Sequence, residues 1–119
     1  MYSERLLDHF RNPRNSGELE NANMRVEVEN PACGDVLRLS ARIEDGRVAE
    51  ARFKVRGCTA SIAAGSALTE CIAGKSREEL ERLSAFDIES ALDGLPQASR
   101  HAAALAMDAV RALAEKFPE

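Results

Sequence analysis

Cys33-Gly34-Asp35 and Gly57-Cys58 are the two places where side chains of this sequence could act together as metal donors. Thiolates suit zinc and iron, and a carboxylate can join them. The first motif follows Asn30-Pro31 in a predicted turn, where Gly34 lets the backbone fold around a ligand. Cys58 stands at the start of a predicted helix, where unpaired amides and the macrodipole favour thiolate over thiol. Together Cys33, Cys58 and Asp35 offer three anionic donors. His101, in the first turn of the last predicted helix, shares a stripe with Leu105 and Ala109. It points inward from the helix end and could supply a fourth donor. Against this stand plainer roles: small buried residues for the cysteines, a turn cap for Asp35, and a solvent-satisfied histidine at position 101. Cys71 is read as a core thiol, because 13 residues of helix place it about 20 Å from Cys58. His9 is read as a packing residue near the amino-terminal turn.

The elements that must position these residues follow from periodicity. Tyr2, Leu6, Leu7 and Phe10 mark a first helix, which stops at Asn12-Pro13. Three alternating runs predict strands with one buried and one wet face: Met24-Val26-Val28, Leu37-Leu39-Ala41-Ile43 and Ala49-Ala51-Phe53-Val55. Arg38, Arg42, Arg52, Lys54 and Arg56 then form a solvated basic outer face, interleaved with Glu50. Helices follow: Thr59 to Ala73 closed by Gly74, a short one capped by Ser76 and Glu79, another over Asp87 to Leu92, and a long final one capped by Ser99. Strands first and helices afterwards predict an α+β fold, a three-stranded antiparallel sheet with helices packed on one face, as a single domain over 1–119.

The hairpin register brings the two cysteines together. Buried positions are odd-numbered on both strands, so facing residues must have numbers summing to an even value. A three-residue loop, Asp45-Gly46-Arg47, satisfies this by pairing Leu39 with Phe53 and Leu37 with Val55. Extended past the strand ends, that register sets Cys33 opposite a position one residue from Cys58. Facing Cα atoms lie about 4.5–5.5 Å apart, so both thiols are expected at one end of the sheet.

Composition narrows the classes of function. A net charge of -4 and a pI near 5.3 argue against nucleic acid and acidic membranes as partners. No apolar stretch reaches membrane-spanning length and no signal-peptide pattern is seen, so a cytoplasmic protein is expected. Three cysteines, an odd number, argue against a disulfide framework and for free thiols or ligands.

Read together, Asp8-His9-Phe10 with Asn12-Pro13-Arg14-Asn15, Pro31-Ala32-Cys33-Gly34-Asp35, and Gly57-Cys58 with Ala60-Ser61-Ile62-Ala63 resemble the U-type iron–sulfur scaffolds, IscU and the NifU amino-terminal domain. The similarity runs over essentially the whole chain. It implies a nascent [2Fe–2S] cluster or a zinc ion as the bound group, a cysteine desulfurase as sulfur donor, and acceptor proteins as recipients. By position, Cys33 and Cys58 resemble the first two cysteine ligands, and Asp35 the aspartate that keeps the cluster labile. His101 resembles the histidine preceding a third cysteine, which brings it to the other three donors. The family expects that third cysteine at position 102, where this chain has Ala102. Ser99 replaces a basic residue, and the proline-rich segment read by an Hsp70-type chaperone is reduced to Leu95-Pro96-Gln97-Ala98. All three changes bear on cluster assembly, sulfur acceptance and chaperone-driven release.

Three functions compete. The leading one is a scaffold with Cys33, Asp35, Cys58 and His101 as a four-donor site, two donors per iron or a tetrahedral zinc set. Whether two chains share one cluster as a homodimer stays open. The second is a zinc- or iron-binding regulatory or adaptor module that binds the assembly machinery without assembling clusters. The third, an enzyme with Cys58 as nucleophile, His101 as base and Asp35 orienting it, lacks any oxyanion or pocket motif.

Overall fold

A computed structural model describes residues 1–118. Helix α1 spans Glu4–Arg11, followed by strands β1 (Met24–Glu29), β2 (Val36–Glu44) and β3 (Arg47–Arg56). Helices α2 (Thr59–Ile72), α3 (Arg77–Glu81), α4 (Ala85–Ala91) and α5 (Arg100–Lys116) complete the order, with a 3-10 turn over Gln97–Ser99 before α5. The sheet is antiparallel in the order β1-β2-β3, and α2 and α5 pack on its inner face. The α+β architecture is therefore the one expected.

The β2–β3 register pairs Leu39 with Phe53 and Leu37 with Val55, as parity required. The loop that produces it differs from expectation. Glu44 already pairs with Arg47, so only Asp45 and Gly46 turn the chain, at φ of 52° and 73°. Positive φ at both central residues is the tight hairpin geometry that matches strand twist. The extra residue is a bulge: Ile43 faces Val48, Arg42 faces Glu50, and Ala49 is left over. Val48, 1% exposed, thus enters the core where Ala49 was expected, and Ala49 is exposed.

Helix α2 consists mostly of small residues and is buried almost all round. Such residues let neighbouring elements approach closely, and Gly65 is the extreme case. A Cβ there would lie 2.5 Å from the Phe53 ring, so glycine is what seats α2 on β3. Ala60, Ala63, Ala64 and Ala67 line the same core as Ala102, Ala103, Ala106 and Ala109 of α5. The helix runs unbroken from Thr59 to Ile72, so Cys71 stays at its far end, half-buried, with burial pushing its thiol up.

The outer sheet face is less wet than the alternation implies. Residues after α1 run beside the free edge of β3, where Phe53 N–H donates to Asn15 O (2.9 Å) and Gly17 N–H to Phe53 O (2.8 Å). The chain then crosses the outer face. Leu19 N–H donates to the Ser40 hydroxyl (3.0 Å), and both residues are buried. A groove of about 410 Å³ beside this crossing, lined by Arg25, Glu27, Arg38, Ser40, Lys54 and Lys116 among others, contains none of the four predicted donors.

Helix ends differ from expectation in detail. Ser3 caps α1 by accepting from Leu6 N–H (3.0 Å), and its hydroxyl donates to Leu92 O, which ties α1 to the end of α4. Helix α4 begins two residues earlier than its apolar pattern suggested, at a Ser84–Asp87 capping box. Ser99 makes no side-chain cap on α5; it is the buried last residue of the 3-10 turn.

Candidate metal centre

The β1–β2 turn carries the first motif. Gly34 N–H donates to Asn30 O (2.7 Å), and Asn30 N–H to Asp35 O (2.9 Å). The Asn30 side chain accepts from Ala32 N–H (3.0 Å), and Gly34 has a φ of +75°. That left-handed conformation is inexpensive only for glycine. Cys33 is thereby held at the exposed tip while Asp35 turns inward, only 7% exposed.

Gly57 makes room for the Asp35 carboxylate. A Cβ at position 57 would lie 2.6 Å from its carboxyl carbon and 2.8–2.9 Å from both oxygens. The next residue, Cys58, is the N-cap of α2 in extended geometry, without a side-chain cap bond. Its amide donates to Asp35 Oδ2 (3.4 Å), and the Ser61 hydroxyl donates to the same oxygen at 2.6 Å. Burial alone would push the Asp35 carboxyl up. Hydrogen bonds from Ser61, from the thiol and amide of Cys58, and from the Cys33 thiol outweigh it and hold the carboxyl below its usual range.

His101 arrives from the far end of the chain. As the second residue of α5, it sets Nε2 3.4 Å from Cys58 Sγ and 3.9 Å from Asp35 Oδ2. Ligand atoms of Cys33, Asp35 and His101 all lie within 4.8 Å of one another. Cys58 falls outside that mutual set and adjoins it through His101. Tetrahedral bonds of 2.0–2.3 Å put neighbouring ligand atoms about 3.3–3.8 Å apart. The separations of 3.4 and 3.9 Å are close to this, and the three-residue set needs at most about 1 Å of closure. All four residues singled out from the sequence therefore meet at one end of the sheet. The chemistry of the set, two thiols, an imidazole and a carboxylate, suits zinc or iron.

Two further polar residues on or against α2 complete the picture. His9 is buried: its Nδ1 lies 2.8 Å from the Ser66 hydroxyl, which accepts from Arg14 N–H (2.8 Å), and its Nε2 lies 3.6 Å from Glu70. It serves the packing of α1 on α2, as read from the sequence. Ser61 had no role assigned. Its signals are its place in the Ala60-Ser61-Ile62-Ala63 motif and its position one helical turn after Cys58.

The NifU-like N terminal domain family matches residues 1–119, and the chain belongs to this family of non-catalytic iron–sulfur scaffolds. Curated relatives include the iron–sulfur cluster assembly scaffold protein IscU of Escherichia coli, 42% identical over 115 residues, covering 93% of this chain and 89% of that one. IscU 1 of Archaeoglobus fulgidus, an assembly scaffold by description, is 40% identical over 111 residues, covering 93% and 72%. Among solved structures, a chain from Fervidobacterium islandicum described as a candidate SUF-system scaffold superposes with a TM-score of 0.78 at 22% identity, over 95% of this chain and 96% of that one. A NifU-like amino-terminal structure from Brucella abortus gives 0.64 at 20% identity, over 92% and 77%. At these identities the two structures speak for the fold alone. No helix among the described residues is long and apolar enough to cross a membrane.

Proposed function

We propose that this chain is an iron–sulfur cluster assembly scaffold that holds a nascent [2Fe–2S] cluster, or a zinc ion in its place, on Cys33, Asp35, Cys58 and His101. The observation that carries the proposal is the approach of His101 to both Cys58 and Asp35 at the sheet end where Cys33 lies. The cluster is cargo. The exposed thiols of Cys33 and Cys58 are accessible to incoming iron and sulfide, and the half-exposed imidazole closes the third side. Asp35 is preset as a carboxylate by its hydrogen bonds. With two oxygen or nitrogen donors among four, the cluster is held less tightly than by four thiolates, which suits onward transfer. A cysteine desulfurase supplies the sulfur and an acceptor protein takes the product, in a reducing cytoplasm that keeps the thiols free. The shortened Leu95-Pro96-Gln97-Ala98 segment argues against an Hsp70-type chaperone in release.

Ala102 supports a second reading. The position where the family carries its third thiol is here a methyl group, 1% exposed within the core. An adaptor that binds zinc and a desulfurase without assembling clusters would tolerate that change. Anaerobic reconstitution with iron, sulfide and a desulfurase separates the two. The scaffold reading expects a visible [2Fe–2S] spectrum in wild type, lost in Cys33→Ser and Cys58→Ser. Stoichiometric zinc that iron and sulfide cannot displace, with cluster formed only after Ala102→Cys, would establish the adaptor.

A further inference from the structure

We infer that Ser61 is the positioning residue of this site, holding the Asp35 carboxylate in the one rotation that meets a metal. The inference rests on the reading of Asp35 as a donor and deepens it. Ser61 is 0% exposed, the third residue of α2, and its hydroxyl has a single hydrogen. A carboxylate oxygen accepts, so at 2.6 Å from Asp35 Oδ2 that hydrogen is committed to Asp35. Cys58 Sγ lies 3.4 Å from the same hydroxyl. A metal-bound Cys58 is a thiolate without its S–H, so whatever that thiol donates to Asp35 or Ser61 is lost on loading, whereas the Ser61–Asp35 bond survives.

The rest of the carboxylate's surroundings cannot hold it alone. Gly57 presents no side chain to it, the Cys33 and Cys58 thiols lose their hydrogens when they bind metal, and the Cys58 amide reaches Oδ2 only at 3.4 Å. Ser61 is the short bond, and it comes from a residue locked in a helix. Groups that orient metal donors in this way commonly contribute about 10- to 100-fold in metal affinity.

Cobalt(II) titration of the whole chain tests this, with affinity and the sulfur-to-cobalt charge-transfer band read together. Ser61→Ala is expected to weaken cobalt binding at least about tenfold, while the charge-transfer intensity, which counts bound thiolates, stays at its wild-type level. In an Asp35→Ala background the same substitution should change affinity no further, since its effect runs through Asp35. That background also removes the buried charge that Ser61→Ala strands, which keeps the comparison available if the single variant folds poorly. An unchanged affinity in Ser61→Ala, an equal loss in the Asp35→Ala background, or a fall in charge-transfer intensity would each overturn the assignment. Wild-type protein that takes up no cobalt would overturn the metal-site reading itself, and this inference with it.

Discussion

At its C-terminal end α2 is tied down by backbone bonds: Gly74 N–H to Val48 O (2.9 Å), Val48 N–H to Lys75 O (2.9 Å) and Lys75 N–H to Ile72 O (3.0 Å). The Ser76–Glu79 capping box follows at once, and Arg47 reaches Glu79 Oε1 at 2.8 Å. At its N-terminal end the cap is a cysteine with no side-chain cap bond. Two thiols there are exposed, and a buried carboxylate is held by a serine. One end spends its polar groups on closing the fold. The other leaves its thiols open to solvent and spends the Ser61 hydroxyl on a carboxylate, as the proposed metal site requires. Metal donors need open lone pairs, so a helix end that holds metal cannot be sealed like one that only terminates.

The comparison can be broken from either side. Replacing Cys33 or Cys58 by serine should abolish cluster assembly, followed by visible absorption under anaerobic reconstitution, while thermal stability stays near wild type. Gly57→Ala should come next: its Cβ would meet the Asp35 carboxylate at 2.6 Å, so zinc affinity should fall more than tenfold. The clash should also cost about 1–3 kcal/mol in denaturant unfolding. At the sealed end the order of effects reverses. Gly74→Ala at a φ of +76° should cost about 1–2 kcal/mol of stability and leave zinc affinity unchanged. Ser76→Ala should cost about 1 kcal/mol, again without touching the metal.

The two histidines sharpen the same contrast. Burial, with Arg14 adding to it, lowers the pKa of His9 below its ordinary 6.5, although Glu70 and Asp8 act the other way. The unfolded chain therefore binds this proton more readily than the folded one. The stability that neutral His9 contributes is full above about pH 6.5 and is lost as pH falls toward the folded value. His9→Gln should flatten that part of the stability–pH curve, measured by urea unfolding between pH 7.5 and 5. His101 is 31% exposed in its side chain and faces a thiol and a carboxylate instead of a serine.

Much of this was legible in one dimension. Alternation on β2 and β3 determined the pairing of Leu39 with Phe53, because a sheet with one buried face admits only one parity. It could not determine how the parity is achieved. A three-residue loop and a two-residue loop with a bulge at Ala49 leave the distant register identical, so only the local structure separates them. The same parity set the Cys33-Gly34-Asp35 turn at the sheet end where α2 begins, and there the Cys58 amide meets Asp35 Oδ2 at 3.4 Å. Ser61 carried no periodic signal, since a buried hydroxyl among alanines is as consistent with packing as with a hydrogen bond.

By itself, then, the sequence determined the α+β order and the sheet register, both consequences of local periodicity and short chain connections. Only tertiary structure decided that His101 reaches Cys58 and that Ser61 holds Asp35. Those contacts join residues 43 and 26 positions apart in the chain. Contacts across such separations depend on how α2 and α5 seat on the sheet, and that seating is set by Gly57, Gly65 and a layer of alanines whose packing no single stretch of sequence encodes.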